Sequence, residues 1–488
     1  MNPAIGRASD AAGVRPSEPP APSLNDLLRR AGDRASYERW ERQVRNARYC
    51  ARPVRLAGSI DQADTQTGEV RTVFDTDHEP DGIVLKACGT RRAARCQPCA
   101  EVYQADAYQL VKAGVAGGKG VPESVAQHPR VFATFTAPSF GWVHVRREQG
   151  GTLYPCHAGR LGEQCAHGRR LGCWHKHQPD DEALGTPLCP DCYDYDQAVI
   201  WNALAPVLWR RTTIYLRRAL ARLSGRTVAA LVREVRVSYV KVAEYQARGA
   251  IHYHAVVRLD GNAPEGVTLP LPWATVELLC EAIRQTAAAV RVPCPAGHSG
   301  LVGWGEQLDI RPIDTAGAGE LSEGQVAGYL AKYATKATEA LAGMALDCPI
   351  RSAAALARRE LPAHVRRLVQ ACWTLGARPE TAGLRLRAWA HQLGYGGHCI
   401  TRSRCYSTTF GALRRARHEY ARRRVLGGAE PVDAWGRLEV EGAAVQVGSW
   451  SYAGLGYRTA ADAWLAWSMR QDAREQRRIA REELSAVA

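Results

Sequence analysis

The chain has 488 residues, of which 46% are hydrophobic and 23% charged; this is typical of a globular protein of roughly two or three domains and excludes extensive disorder. No apolar stretch approaches the roughly 18 to 20 residues that cross a bilayer, and the N-terminus lacks an apolar signal core, so we expect a cytoplasmic protein without a membrane partner. The formal net charge of +15 favours an anionic partner, above all nucleic acid.

The beginning of the chain combines a polar start with a cysteine-rich segment. Residues 1–23 are rich in proline and alanine and predict a disordered leader. Helical spacing follows at residues 24–49 and again at residues 100–114, where the pattern ends in glycines. Nine of the fifteen cysteines lie in clusters before residue 193, and a reducing cytoplasm argues against disulfides. We therefore predict a zinc module over residues 24–120.

Residues 121–345 predict an α+β domain built on an antiparallel sheet, because strands, a hairpin and helices follow one another along the chain. A Cys/His-rich insertion at residues 150–193 interrupts this domain. In chain order the predicted elements are a strand at residues 130–138, a helix at residues 193–223 with a break at Pro206, two strands joined by a turn at residues 247–249, a helix at residues 273–292, a strand at residues 305–313 and a helix at residues 324–341.

The region after the predicted α+β domain is rich in arginine. Residues 351–425 contain 16 arginines and 3 glutamates but no lysine or aspartate, so nearly the whole net positive charge lies there. The planar guanidinium group binds phosphate through two hydrogen bonds, which suits a nucleic-acid backbone. We therefore predict a mostly helical DNA-binding region over residues 346–488, ending in a charged helix.

Two histidines occupy alternate positions of the predicted hairpin. Alternate residues of a strand share one face, so the side chains of His252 and His254 can bind the same ion. Glu244, across the turn, is expected to lie opposite them. Two imidazoles and a carboxylate leave ligand positions open for water and a phosphate oxygen, and they suit Mn²⁺ or Mg²⁺. The alternative is a pair of half-buried structural histidines.

Tyrosines and lysines follow a helical repeat further along the chain. Positions i, i+3, i+4 and i+7 of a helix share one face, and here they are Tyr329, Lys332, Tyr333 and Lys336. A tyrosine that loses its proton can attack a phosphodiester, and lysines one turn away can orient DNA and stabilise the charge on the phosphate. The alternative is an ordinary amphipathic helix with tyrosines at the edge of the core.

The cysteine spacing predicts two structural zinc sites, with a redox function of the CxxC pairs as the alternative. The first site comprises Cys50, Cys88, Cys96 and Cys99. The second pairs Cys189 and Cys192 with two ligands from Cys156, Cys165, His167, Cys173, His175 and His177, of which we favour Cys156 and Cys165. The remaining cysteines lack such spacing and are expected to be packing residues.

The order of these motifs resembles that of the HUH endonucleases, which include rolling-circle replication initiators, relaxases and related transposases. A strand ending in Thr136-Ala137-Pro138 precedes the His-hydrophobe-His strand and the tyrosine helix, and Tyr-x-x-Lys-Tyr-x-x-Lys is similar to the two-tyrosine branch. Over most of residues 50–485 the chain further resembles the RepSA-like replication initiators of actinobacterial plasmids and integrative conjugative elements, through segments such as CGTRRAARCQPCAEVY, PLCPDCYDYDQAVIWN, GAIHYHAVVRLDG and TRSRCYSTTFGALR.

The resemblance implies an HUH-type antiparallel sheet flanked by helices. It implies that His252, His254 and Glu244 bind the catalytic ion, and that Tyr329 and Tyr333 are nucleophiles supported by Lys332 and Lys336. The implied reaction nicks one strand at a replication origin, leaves a 5′-phosphotyrosine and a 3′-OH primer, and later rejoins the strands. The partners that the resemblance implies for the protein are single- and double-stranded origin DNA, a host helicase and a polymerase.

Two alternatives to this function remain open from the sequence. A two-tyrosine transposase or a conjugative relaxase would use the same chemistry on a different DNA site. A non-catalytic zinc-containing DNA-binding regulator would account for the cysteines and the arginines, but not for the histidine strand followed by the tyrosine helix.

Overall fold

The computed structural model describes residues 18–64, 67–160, 162–263, 266–298, 300–313, 322–335, 341, 346–425 and 444–487. Its helices are α1 (Leu24–Ala31), α2 (Arg34–Asn46), α3 (Gln97–Ala116), α4 (Tyr195–Leu223), α5 (Val228–Glu234), α6 (Val276–Ala289), α7 (Glu323–Ala334), α8 (Ala353–Ala357), α9 (Ala363–Leu375), α10 (Phe410–Val425) and α11 (Ala460–Val487). Residues 1–17 of the predicted leader, and Lys336, lie outside the described residues.

The strands confirm a mixed α+β fold with antiparallel sheets. They are β1 (Val54–Asp64), β2 (Val70–Asp75), β3 (Val84–Lys86), β4 (Arg130–Phe135), β5 (Arg147–Gln149), β6 (Thr152–Tyr154), β7 (Val235–Tyr245), β8 (Ile251–Ala263), β9 (Gly266–Thr268), β10 (Val292–Pro293), β11 (Leu301–Val302), β12 (Leu308–Pro312), β13 (Ile400–Arg402) and β14 (Ala444–Leu455). Among the helices of the described part of the chain, none has both the length and the apolar character needed to span a bilayer.

The chain forms two compact units, each assembled from what is described of its range. One comprises residues 107–409, and the other joins residues 18–106 to residues 410–487. This division differs from the boundaries near residues 120 and 345 that the sequence predicted. The reason is strand pairing between distant segments: β13 completes the sheet of the first unit, and β14 pairs along the whole of β1 in the second.

A six-stranded antiparallel sheet forms the centre of the unit at residues 107–409. Its strand order is β12-β4-β8-β7-β13, and β9 pairs with the far end of β8. The predicted hairpin is present, since β7 and β8 pair from Val235↔Gly261 to Tyr245↔Ile251. Because side chains alternate between faces, Tyr253 points to one side of the sheet and His252 and His254 to the other.

One face of this sheet is covered by helices and forms the main hydrophobic core. The ring of Trp209 on α4 lies 5.6 Å from Phe135 and 5.8 Å from Tyr253, and Ile283 of α6 lines the same apolar space. Helix α9 packs against α4 from outside. The opposite face, which carries the two histidines, is approached by α7. The sheet is therefore covered on both faces, by the main core on one side and by α7 over the buried His254 on the other.

The predicted break at Pro206 is wrong, because α4 continues through this proline from Tyr195 to Leu223. A proline inside a helix removes one hydrogen bond and costs about 3 kcal/mol. Here α4 buries many side chains, including Trp201, Leu204 and Leu208 around the proline. The free energy gained by packing this buried face exceeds the cost of the proline. Tertiary contacts therefore keep α4 continuous where the proline predicted a break.

The region over residues 346–488, predicted as mostly helical, also contains two strands among its described residues. Ile400–Arg402 forms β13 on the edge of β7, and Ala444–Leu455 forms β14 against β1. The first strand is too short to show an alternating pattern. In the second, the apolar residues change phase between Val447 and Trp450, so the sequence lacks the continuous alternation that predicts a strand, and these residues are exposed in the structure.

A buried ion network lies at the opposite end of β8 from the histidines. The Asp260 carboxylate is 2.5 Å from Arg258 Nε and 2.8 Å from His128 Nδ1, and all three side chains are fully buried. Burial opposes ionisation of Asp260, but hydrogen bonds from His128 and Arg258 outweigh it and lower the pKa of this carboxyl group. The network therefore depends on a carboxylate held in the charged form.

We expect Asp260→Ala to lower the free energy of unfolding by about 3 to 5 kcal/mol, because Arg258 would become an uncompensated buried charge. Urea denaturation would measure the loss. Glu281→Ala is the matched control, since its pair with Arg284 is exposed and contributes at most about 1 kcal/mol. Because folding lowers the Asp260 pKa, its stabilisation is present at neutral pH and is lost as the pH falls below about 4. Equal losses in the two variants would contradict the expectation.

Candidate active site and metal-binding clusters

The hairpin brings Glu244, His252 and His254 together as the sequence predicted. Glu244 pairs directly with His252 in the β7–β8 register. Its Oε2 lies 2.9 Å from His252 Nε2 and 3.0 Å from His254 Nε2, and the three donor atoms lie within 4.8 Å of one another. This group can hold a metal ion through two nitrogens and one oxygen.

Burial and hydrogen bonding together set the charge of this group. The residue His254 is 2% exposed, and the side chains of Glu244 and His252 are each 15% exposed. Burial alone would raise the pKa of Glu244, but hydrogen bonds from both imidazoles outweigh it and lower this pKa to about 2. Burial, aided by repulsion from His252, lowers the pKa of His254 to about 4. At neutral pH the group therefore offers a carboxylate and a neutral His254 imidazole, the forms that bind a cation.

The orientation of His254 depends on a threonine that sequence reasoning missed. Thr134 on β4 pairs with His254 on β8, and its Oγ1 lies 3.0 Å from His254 Nδ1. The ring of Phe132 stacks on the imidazole at 5.8 Å. These contacts direct Nε2 toward Glu244. Only the register between β4 and β8 identifies Thr134, because the sequence pointed two residues further along, to Thr136.

The tyrosine helix lies over the same face of the sheet. Helix α7 begins with a capping box between Ser322 and Gln325. The Tyr329 hydroxyl lies 3.5 Å from His254 Nε2, and the rings of Tyr329 and Tyr333 are 5.0 and 5.5 Å from the His254 ring. The two phenol rings are 4.6 Å apart. The structure thus brings both predicted tyrosines to the histidine pair, 75 or more residues away in sequence.

Burial also controls the protonation of the tyrosines. It raises the pKa of Tyr329 and Tyr333 above that of an ordinary phenol, and the Glu244 carboxylate acts in the same direction. Both hydroxyls are therefore protonated at neutral pH in the absence of a cation. Lys332 is half-buried on the same helix.

Neighbouring charges on β4 and β12 complete the site, and the sequence did not single them out. Asp309 and Arg311 lie on β12, paired with Thr134 and Phe132. The charge of Asp309 favours protonated His254, and that of Arg311 favours ionised Tyr329. The buried guanidinium of Arg130 lies 2.7 Å from Glu323 in the first turn of α7, which ties the tyrosine helix to the sheet.

Comparison with known proteins assigns the chain to a family. The family model described as RepSA, replication initiator protein, pSAM2, matches residues 36–471, which include the histidine hairpin and both tyrosines. A curated replication initiator protein of Streptomyces ambofaciens is 43% identical over 470 residues, which cover 94% of this chain and 95% of that protein. This chain belongs to the RepSA replication initiator family. No solved structure was found to match it.

The family assignment supports a function in the initiation of replication, with origin DNA as the partner. It also places the cysteine clusters of this RepSA family member inside the matched range. The cysteine spacing predicted two of these clusters, one with Cys50 and one with Cys189 and Cys192, and the distances between their donor atoms show which members lie together.

The first cysteine cluster of the RepSA chain contains the four predicted members. Cys50 Sγ lies 3.7 Å from Cys96 Sγ and 3.6 Å from Cys99 Sγ, and Cys88 Sγ lies 3.6 Å from Cys99 Sγ. The edge of a tetrahedron around zinc with four thiolates is about 3.8 Å, given Zn–S bonds of about 2.3 Å. The four sulfurs are therefore arranged as a closed site that can hold a metal ion such as zinc.

The second predicted set is brought together only in part. Cys165 lies with Cys189 and Cys192, but the fourth member of this group is His167. Cys156 is not part of it, so its selection as the fourth ligand is corrected. The backbone N–H of Cys156 bonds to the His175 carbonyl at 3.0 Å, which holds Cys156 in the other half of the insertion. Spacing alone could not identify which Cys and His residues of the insertion join Cys189 and Cys192, because a long polar segment separates all of the candidates from this pair.

Proposed function

We propose that this RepSA-family initiator starts rolling-circle replication by nicking one strand of origin DNA with a tyrosine of α7, in the manner of an HUH endonuclease. The observation that carries the proposal is the position of the Tyr329 hydroxyl, 3.5 Å from His254 Nε2 in the group that also contains Glu244 and His252. A nucleophile beside a group that can bind a divalent cation is suited to metal-assisted phosphodiester transfer. The histidine strand at the centre of an antiparallel sheet, with the tyrosine helix on its face, supports the HUH assignment.

The chemistry of the donor set fits Mn²⁺ or Mg²⁺. Glu244, His252 and His254 would hold the ion through one oxygen and two nitrogens, which leaves room for water and phosphate oxygens. A divalent cation bound there supplies Lewis-acid polarisation of the scissile phosphate. Glu244 is already ionised because the two imidazoles stabilise its charge. Loss of a proton is therefore not needed before this carboxylate binds a cation.

The proposed cleavage exchanges one phosphodiester for another. The phenolic oxygen of Tyr329 bonds to phosphorus, the P–O3′ bond breaks, and the 3′ oxygen takes up a proton as the phenol loses one. The products are a 5′-phosphotyrosine and a free 3′-OH that primes synthesis. Arg311, whose charge favours ionised Tyr329, assists the loss of the phenolic proton. Lys332 and Lys336 are proposed to stabilise the phosphate.

Tyr333 is proposed as the second nucleophile. Its ring is 4.6 Å from that of Tyr329 and 5.5 Å from that of His254, so both phenols can use the same ion-binding group. After one round of synthesis, Tyr333 would cleave the regenerated junction while Tyr329 still holds the first strand. Strand transfer to the free 3′-OH then closes the circle without release of the DNA.

Exposed arginines supply a surface for the DNA backbone. Within residues 351–409, the arginine-rich part of the unit that carries the active site, the exposed ones are Arg351, Arg358, Arg367, Arg378, Arg385, Arg387 and Arg404. Contacts of this type bind DNA independently of sequence, and affinity falls steeply with salt. We propose that they hold duplex origin DNA while a single strand enters the active site, with a host helicase and polymerase acting on the exposed primer.

The proposal is tested by incubating the purified protein with labelled single-stranded origin DNA and Mn²⁺, followed by denaturing gel electrophoresis. We expect a protein–DNA adduct that EDTA abolishes. Cleavage at element ends or at a transfer origin, but not at a replication origin, would instead identify a transposase or a relaxase. Tight binding without an adduct on any origin strand would favour a non-catalytic zinc-containing regulator.

The Thr134 contact makes a separate prediction about metal affinity. A hydrogen bond from the second ring nitrogen of a metal-binding histidine orients it, and removing the partner typically weakens binding about 10- to 100-fold. We therefore expect Thr134→Val to raise the Mn²⁺ concentration for half-maximal nicking by about this factor, with nicking restored at saturating Mn²⁺. Thr134→Ser keeps the hydroxyl and is the control. A Thr134→Val protein with the wild-type Mn²⁺ dependence would show that this contact does not position His254.

A further inference from the structure

The Cys/His-rich insertion at residues 150–193, together with His144 just before it, forms a second group of close donor atoms that the sequence did not predict. His144, Cys156, Cys173 and His177 offer two nitrogens and two sulfurs, all within 4.8 Å of one another. His144 Nδ1 is 3.2 Å from His177 Nε2 and 4.0 Å from Cys156 Sγ, and His177 Nε2 is 3.7 Å from Cys173 Sγ. Tetrahedral zinc with Zn–N of about 2.0 Å and Zn–S of about 2.3 Å requires edges of about 3.3 to 3.8 Å, close to these distances.

Contacts around this group are those that orient metal ligands. The Nδ1 atom of His177 lies 2.7 Å from Asp181 Oδ2, so its Nε2 is directed toward the two sulfurs. Zinc-binding histidines commonly donate their other ring N–H to a carboxylate in this way. The backbone N–H of Val145 donates to Cys156 Sγ at 3.2 Å, which stabilises a thiolate. Cys156 and His177 are also among the most buried residues of the insertion.

The other group, formed by Cys165, His167, Cys189 and Cys192, has the geometry of a separate site. His167 Nδ1 lies 3.2 Å from Cys192 Sγ and 3.8 Å from Cys189 Sγ. Cys165 and His167 are presented by a tight turn in which Gly168 adopts a positive φ of 71° and its N–H bonds to the Cys165 carbonyl at 2.9 Å. The two groups share no residue.

The insertion has almost no hydrophobic core that could fold it. Among the described residues 142–160 and 162–192, which run from the segment before the insertion to Cys192, the buried ones are Cys156, His177, Gly185, Pro187 and Cys189. Three of these five belong to the two donor groups. A segment whose buried residues are mainly metal-ligand candidates has too few buried apolar side chains to stabilise its fold. Its folding free energy therefore depends on metal coordination.

We propose that the insertion binds two zinc ions, one through His144, Cys156, Cys173 and His177 and the other through Cys165, His167, Cys189 and Cys192. With the cluster around Cys50, the chain then binds three zinc ions where spacing alone predicted two. The site with two cysteines and two histidines connects the irregular segment between Phe140 and β5, which carries His144, to the segment that follows β6, which carries Cys156. The site with three cysteines and one histidine clamps the Gly168 turn to the segment just before α4.

The test is the zinc content of the full-length protein, measured by inductively coupled plasma mass spectrometry against protein concentration. In a His252→Ala/His254→Ala background, which removes the donor group of the proposed catalytic ion, we expect three zinc ions per chain, and one fewer after His144→Ala/Cys173→Ser or Cys165→Ser/His167→Ala. His175→Ala is the matched control, because His175 contacts Asp181 at 3.2 Å but is mostly exposed and belongs to neither group. Loss of one zinc from His175→Ala, or an unchanged count in His144→Ala/Cys173→Ser, would overturn the assignment of the site with two cysteines and two histidines.

A spectroscopic measurement on the unmutated protein covers the case in which a variant does not fold. Cobalt(II) is substituted for zinc, and its thiolate charge-transfer band, to which the group of Glu244, His252 and His254 cannot contribute, is recorded as cobalt is added. We expect saturation at three equivalents, with contributions from sites of four, three and two thiolates. Saturation at two equivalents without a contribution from the two-thiolate, two-imidazole site would refute the proposal. Neither measurement depends on nicking, so a failure of the zinc proposal can be distinguished from a failure of the proposed endonuclease activity.

Discussion

Tyr329→Phe/Tyr333→Phe is expected to abolish the covalent protein–DNA adduct, a loss of at least about 10³-fold in the rate of nicking. Phenylalanine keeps the ring contacts of both tyrosines with His254, so the site should stay folded while both nucleophilic oxygens are lost. The measurement is adduct formation on labelled single-stranded origin DNA with Mn²⁺. Tyr420→Phe is the matched control, since Tyr420 is 69% exposed and lies on α10 in the other unit.

The single variants separate the two tyrosines. Because the Tyr329 hydroxyl lies 3.5 Å from His254 Nε2, we expect Tyr329→Phe to lose the first cleavage. Tyr333→Phe is expected to nick but to accumulate products longer than one unit, because termination needs a second nucleophile. Undiminished adduct in the double variant would refute the tyrosine mechanism. Unchanged termination in both single variants would refute the two-tyrosine scheme but leave the first nick intact.

Glu244→Gln is expected to reduce nicking by about 10³-fold at a limiting Mn²⁺ concentration, which corresponds to about 4 kcal/mol. The amide keeps the shape of the side chain and can still hydrogen-bond His252 and His254 at the present distances of 2.9 and 3.0 Å. It removes the only formal negative charge among the three donors, so a divalent cation is bound more weakly. Binding of origin DNA should be unaffected.

Mn²⁺ titration of the nicking rate and a parallel DNA-binding assay measure these two effects. Glu281→Gln, on the exposed surface of α6, is the control for a generic loss of negative charge. If Glu244→Gln nicks with the wild-type Mn²⁺ dependence, the group of Glu244, His252 and His254 does not bind the catalytic ion. If DNA binding is lost together with nicking, the substitution has damaged the fold, and thermal unfolding will show it.

Much of the candidate site was predictable because its signals are local. The alternation of His252 and His254 in a strand places both imidazoles on one face whatever the rest of the fold is. The even spacing from Glu244 across a short turn places the carboxylate opposite them, and the register Glu244↔His252 agrees. The spacing of Tyr329 and Tyr333 likewise depends only on the helical repeat.

Residues that act through a neighbouring strand were not predictable in this way. Thr134 contacts His254 because β4 pairs with β8, and Asp309 and Arg311 join the site because β12 pairs with β4. Nothing within a few residues of Thr134 indicates which strand it will adjoin. The distribution of insertion ligands between two groups was missed for the same reason, since Cys156 and Cys165 are equally plausible partners of a CxxC pair in sequence.

The sequence by itself determined the histidine pair and the tyrosine helix, because each depends on spacing within one element, and it indicated the family through its resemblance to known initiators. Of the first cysteine cluster, the spacing indicated the CxxC pair, while the tertiary structure brought Cys50 and Cys88 to it. The tertiary structure decided which of these elements meet. It joined the residues up to Asp106 and those from Phe410 onward in one unit. It also allowed α4 to continue through Pro206 and brought the hydroxyl of Tyr329 to 3.5 Å from His254 Nε2. Such outcomes depend on strand pairing and side-chain burial between segments that are distant in sequence. The free energies of these contacts are summed over the whole fold, so no local sequence pattern predicts them.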